Sequence, residues 1–146
     1  MMSSTGIDRV LGEWWAATDS LAAMIPPDRL VAEIDAREEA EDRDDDNDGY
    51  FDETVIFDVT TEPAWRTNSV QGWKSLVTLS VLSIDYDVSK QIAAEIVAQW
   101  ANQSYTGTAN SITCCKPSGA ITTTRDEATG VWETAVRFDM WHQGAV

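Results

Sequence analysis

The sequence predicts an α+β domain: a mainly antiparallel sheet of about four to five strands with two main helices packed on one face. Three observations lead there. Two amphipathic helical segments stand far apart in the chain. The strand-like runs between and after them are not interleaved regularly with helices, as a parallel α/β sheet would require. The 146 residues, 43% hydrophobic with seven tryptophans, are enough for one buried core and too apolar for a disordered chain. A single domain over 1–146 is expected, with an acidic insert at about 37–53 and no internal repeat.

The first element is a helix. Ile7, Val10, Leu11, Trp14, Trp15, Leu21, Ala22 and Ile25 recur at i, i+3, i+4 and i+7. Ser4 or Thr5 is available as a cap, and Pro26-Pro27 stops the helix. The adjacent tryptophans are wide for one stripe. Either both fill one core, or Trp14 anchors it while Trp15 reaches a neighbour. Leu30, Val31 and Ile34 then give a short strand.

The acidic run from Arg37 to Glu53 follows. Fourteen of the 25 acidic residues lie between Glu33 and Glu62, a self-repelling density that belongs in a solvated loop. Thr54 to Thr60 alternates as a strand. Glu62 to Gly72, with Pro63, Asn68 and Gly72, reads as a connecting loop carrying Trp65. Ser75 to Ile84 is the strongest strand, buried on both faces or covered by helices on one.

Asp85 and Asp87 offer two caps for the second helix, which runs to about Asn102 on a seam of Val88, Ile92, Ile96 and Trp100. Asn102 to Ser111 is a polar loop. Ile112 to Lys116 and Ala120 to Thr124 are short strands around Pro117-Ser118-Gly119, and Asp126 to Gly130 is a turn. Val131 to Trp141 alternates as a long half-buried strand, hairpinned to the one before. The tail His142 to Val146 reads as loose.

Charge restricts the function. Ten Lys and Arg against 25 Asp and Glu give a net charge of −15, so a large cationic face for nucleic acid or anionic membrane is hard to build. No run of 18 apolar residues and no signal peptide is visible, so no membrane partner is expected. The adjacent Cys114 and Cys115 would point to opposite faces of a strand, where a bond between them is strained. They read as two reduced thiols, with a redox switch as the rival, and both readings fit a reducing compartment.

The sharpest local motif is Asp44-Asp45-Asp46-Asn47-Asp48-Gly49, the first half of a calcium loop. Asp44, Asp46 and Asp48 would supply oxygens, Gly49 the turn, Tyr50 a carbonyl, and Asp52 the ninth position. The twelfth position, which needs a bidentate carboxylate, is Val55, and a strand rather than a helix follows. A solvated acidic loop is the competing reading. With the closing ligand missing, no metal site, no cofactor-binding residue and no cofactor is expected. One histidine, His142, sits at the end of the last strand and reads as a surface or edge residue. No nucleophile elbow, phosphate loop or dinucleotide fingerprint is present, so no catalytic residue is expected and the chain does not read as an enzyme.

The order of elements resembles a known family. A strand of the SLVTLSVLSI kind leads through DYD into the alanine-rich helix SKQIAAEIVAQWANQ. A variable loop, a strand, a DEATG turn and the closing strand VWETAVRFDMWH follow. Over roughly residues 5 to 142 this resembles the tail-terminator, or tail-completion, proteins of long-tailed bacteriophages. Their leading helix matches the one ending near Pro26-Pro27, and the acidic insert departs from their pattern. The resemblance implies a structural virion protein of the tail or neck, assembled in the host cytoplasm. It would form a hexameric ring on the tail tube protein, stop tube polymerisation and meet the head-tail connector or stopper. Genomic DNA would pass through the lumen without specific binding, and an acidic lumen would repel its phosphates. Plain solubility and a salty host also account for the charge. Trp15, Trp65, Trp73 and Trp141, in or next to loops and element ends, are candidate interface residues or caps on the protein's own core. Another head-tail neck adaptor and a calcium-binding interaction module are the alternative functions.

Overall fold

A computed structural model describes residues 6–32 and 53–145. The elements are α1 (Ile7–Ala17), α2 (Asp19–Met24), a 3-10 turn at Pro27–Arg29, β1 (Leu30–Ala32), β2 (Thr54–Arg66), β3 (Val70–Ser83), α3 (Tyr86–Trp100), β4 (Tyr105–Thr106), β5 (Asn110–Pro117), β6 (Thr122–Arg125) and β7 (Trp132–Ala145). The α+β class holds, but the sheet has seven strands rather than four to five, in the order β1-β2-β3-β7-β5-β4, with β6 also on β7. All pairs are antiparallel except β1 with β2. No helix among the described residues is long and apolar enough to cross a membrane.

The leading helical segment is two helices. Gly6, in the left-handed region at φ 71°, starts α1 without a side-chain cap. The caps expected at Ser4 or Thr5 lie outside the described residues. Thr18 leaves helical geometry at ψ 95° and separates α1 from α2. Its hydroxyl donates to the Trp14 carbonyl at 2.7 Å and accepts from the Trp100 indole N–H at 3.2 Å. A β-branched residue with a local hydrogen bond to offer thus ends one helix and starts the next. Asp85 caps α3, accepting from the backbone N–H groups of Asp87 and Val88. The helix ends at Trp100, two residues before the expected Asn102, which takes a left-handed φ of 63° and donates its N–H to the Cys115 carbonyl at 2.7 Å.

The α-helices among the described residues cover one face of the sheet. Val55, Phe57, Val77, Leu79, Val81, Val136, Phe138 and Met140 project toward them, in register across β2, β3 and β7. The core is aromatic: Trp14 lies flat on Trp100 at 4.3 Å, and Trp15 meets Trp100 edge-on at 5.8 Å. The Trp15 indole N–H is satisfied by the Ile25 carbonyl at 2.8 Å, which lets Trp15 be fully buried. Both tryptophans therefore fill one core, and Trp15 does not reach a neighbour. On the opposite face a smaller cluster of Ile56, Leu82 and Val131, with Val31 against it, buries only one end of the sheet.

Three expected loops hold strand, among them Asn102 to Ser111, which carries β4 and the first two residues of β5. Glu62 to Gly72 is the end of β2, a turn at Thr67–Ser69 and the start of β3. Pro63 and Gly72 signal a break, yet β1 pairs with β2 only as far as Phe57, so Pro63 sits on the edge beyond β1. A bulge between Pro63 and Trp65 absorbs the irregularity. Gly72 lies beneath the Trp65 ring, which occupies the space a Cβ would need. The third is the tail: residues 142–145 continue β7, pairing with β3 as far as Ala145 and with β5 as far as Gly144. The turn at Asp126 to Gly130 forms as expected, closed by Asp126 N–H to the Val131 carbonyl and Gly130 N–H to the Asp126 carbonyl.

Candidate functional site

The calcium-type sequence from Asp44 to Asp52 lies outside the described residues. Its twelfth position does not: Val55 is fully buried in β2 opposite Val81, committed to the core rather than to a ligand sphere. Among the described residues no group of three or more His, Cys, Asp or Glu side chains is placed to hold a metal ion.

Cys114 and Cys115 are both free and project to opposite faces of β5. Cys115 is buried in the helix-side core, where desolvation, with a smaller push from Cys114, raises its thiol pKa to about 12. Such a thiol is unreactive. Cys114 is half-buried on the other face, paired across from Trp141.

His142 is not a surface residue. Continuation of β7 carries it into the core, where it is 1% exposed and stacks against Trp73 at 5.6 Å. Its Nε2 is 2.6 Å from the Ser75 hydroxyl, which lies 2.7 Å from the Thr61 hydroxyl. Nδ1 is buried and has no hydrogen-bond partner among the described residues. Desolvation pushes the histidine pKa down to about 4, so the ring is neutral near pH 7. A serine hydroxyl against an imidazole has the spacing of a nucleophile and its base. Ser75 is fully buried, however, and no substrate carbonyl can approach it in this arrangement. The Thr61–Ser75–His142 chain instead satisfies polar groups where three strands meet. The alternation of β7, followed one residue past Trp141, would have placed His142 inward with Phe138 and Met140.

An open polar groove of about 430 Å³ lies between the α1–α2 junction and the end of α3. Asp19 is the only ionisable side chain among the eight residues that line it, so acid and base groups do not converge there.

A second open feature is the sheet face turned away from the helices. At the end remote from the Ile56 cluster it presents Trp65, 45% exposed, and Leu76, 41% exposed, with half-buried Trp141 beside them. Charged residues lie across these strands in order. Glu62 faces Lys74, and Lys116 faces Asp139, each directly opposite on neighbouring strands. The Lys74 ammonium lies 5.3 Å from the Trp141 ring centre. A shallow depression of about 180 Å³ runs between Thr60, Glu62, Lys74, Leu76 and Asp139. Of the four tryptophans singled out in the sequence, Trp65 and Trp141 belong to this face. Trp73 covers His142 from the helix side, and Trp15 is internal. All but Trp15 lie within strands rather than loops.

No protein-family model matches the chain, and no curated protein matches its sequence. Among solved structures, a chain from the virion of a native gene transfer agent particle shares the fold with a TM-score of 0.62 at 12% sequence identity. The shared fold covers 91% of this chain and 92% of that one. At this identity the likeness is one of fold.

Proposed function

We propose that this protein is a structural virion protein, and that its role is that of a ring-forming tail terminator. In this reading six copies close on the end of the tail tube, stop its polymerisation and present a surface to the head connector. The single observation that carries the reading is the extent of the shared fold: nine-tenths of this chain matches nine-tenths of a chain from a virion. The element order and residue character that resemble the tail terminators, over roughly residues 5 to 142, point the same way. The net charge of −15 suits a ring through which DNA passes unbound.

The test is tube assembly. Purified protein is added to polymerising subunits of its cognate tail tube, and tube lengths are measured by electron microscopy. Controlled lengths with rings at the tube ends are expected. Uncontrolled lengths in the presence of folded protein would overturn the terminator role. Binding to the head portal without effect on tube growth would move the protein to the neck-adaptor class.

A further inference from the structure

We infer that the open sheet face around Trp65, Leu76 and Trp141 is where one copy of this chain docks on the next. The inference rests on the ring reading above and deepens it by naming the surface. Each copy carries a net charge of −15, and a ring contact is heterologous, so docking is least opposed where at least one of the two different surfaces that meet lacks the negative excess. Among the described residues this face is such a surface. Asp58, Glu62 and Asp139 are matched on it by Lys74, Lys116 and Arg137, whereas the remaining described residues hold eleven carboxylates against five cations.

The balance is built into the strand register. Glu62 and Lys74 are directly opposite, as are Lys116 and Asp139, and Arg137 faces Thr78 next to Asp58. Opposite charges set across from one another within one copy present little net field to the next, while exposed Trp65 and Leu76 supply apolar area to bury. The size also fits. Four strands wide and about seven residues long, the patch spans roughly 19 by 24 Å, and its projecting side chains raise its area toward the ~800 Å² per partner of a standard interface. Gly72 beneath Trp65 lets the indole lie flat on the sheet rather than stand out of it, which leaves a surface level enough to dock.

The experiment compares wild type with Leu76→Glu and with Met24→Glu. Met24 is 43% exposed on α2, on the helix side. Circular dichroism melts establish folding, and native mass spectrometry, alone and with tube ends, reads assembly. In parallel, wild-type Cys114 is alkylated in the monomer and in the ring, with buried Cys115 as the internal reference. Rings from wild type and Met24→Glu, loss of rings with folded Leu76→Glu, and protection of Cys114 on assembly are expected. Rings from Leu76→Glu, or equal Cys114 labelling in ring and monomer, would overturn the assignment of this face while leaving the ring intact. Should Leu76→Glu fail to fold, Cys114 labelling in the wild type decides. Absence of wild-type rings even on tube ends overturns the ring reading and this interface with it.

Discussion

His142 Nε2 and Ser75 Oγ stand 2.6 Å apart, on the two central strands of the sheet, with the far nitrogen of the imidazole buried and without a partner among the described residues. A neutral ring is tolerated there. A protonated one brings an uncompensated charge into the core.

Acid sensitivity follows. The folded-state pKa of His142 is lowered from 6.5 to about 4. The unfolded chain therefore binds the proton more readily, and stability is lost as the pH falls from about 6.5 toward 4. The full difference is worth up to about 3 kcal/mol. Melting temperature measured between pH 7 and pH 4 is expected to fall, and His142→Phe is expected to flatten the profile above pH 5. Below that range the Glu13 and Glu95 carboxyls take over. Both are lowered from 4.5, Glu13 chiefly by its hydrogen bond from Thr108 and Glu95 chiefly by that from Ser20. Their contributions disappear as the pH falls further.

Trp100 is the hub of the helix-side core, in ring contact with Trp14, Trp15 and Phe138. Trp100→Ala is expected to cost about 3–5 kcal/mol. A double-mutant cycle with Trp14→Leu should leave a coupling of about 0.5–1.5 kcal/mol, the worth of a stacked aromatic pair beyond its buried area. Urea denaturation of the four proteins measures both.

Asp85 is the one side chain that caps α3. Asp85→Ala is expected to cost about 1 kcal/mol, and Asp85→Ser to restore most of it. Thermal melts separate the two. Asp87, the rival cap in the sequence, lies within the first turn, and Asp87→Ala should change stability little.

Calcium is expected to have no specific effect. Val55 at the closing position of the calcium-type sequence is in the core, so the bidentate ligand is missing. Millimolar calcium and magnesium should shift the melting temperature equally, by neutralising acidic charge. A shift confined to calcium would instead mark a ligand bound to the folded state.

Much of the fold was legible because side-chain period tracks burial. The alternation of Val55, Phe57 and Val59 and of Val136, Phe138 and Met140 placed two strands, the β-branched run from Ser75 to Ile84 placed a third, and the Ile92–Ile96–Trp100 seam placed α3. What failed was punctuation. Pro63 and Gly72 carry breaker chemistry, but an edge position and an overlying indole accommodate them within strands. The single helix expected over Ile7 to Ile25 is broken at Thr18, whose hydroxyl has two partners there. The short strand expected at Ala120 to Thr124 is β6, at Thr122–Arg125, whereas the two-residue β4 exists by pairing with β5, and no local pattern of that length announces a strand. His142 was misplaced because Gln143 and Gly144 have little strand character of their own. The open face was legible only in part: Trp65 and Trp141 drew notice as tryptophans, whereas Leu76 and the Glu62–Lys74 and Lys116–Asp139 pairings require the register.

β7, the last strand in chain order, is also the axis of the sheet, with β3 along one side and both β5 and β6 along the other. A nascent chain that has reached Gly130 has synthesised every described element except β7, yet β3 lacks its long central partner and β5 and β6 have nothing between them and β3. Local helix formation can run ahead, but the sheet closes only when 14 further residues thread between strands already made. Synthesis and folding are thereby separated in time. A ribosome that stalls before β7 releases a sticky half-sheet, a substrate for chaperones and proteases, and not a partly working subunit that could poison an assembly.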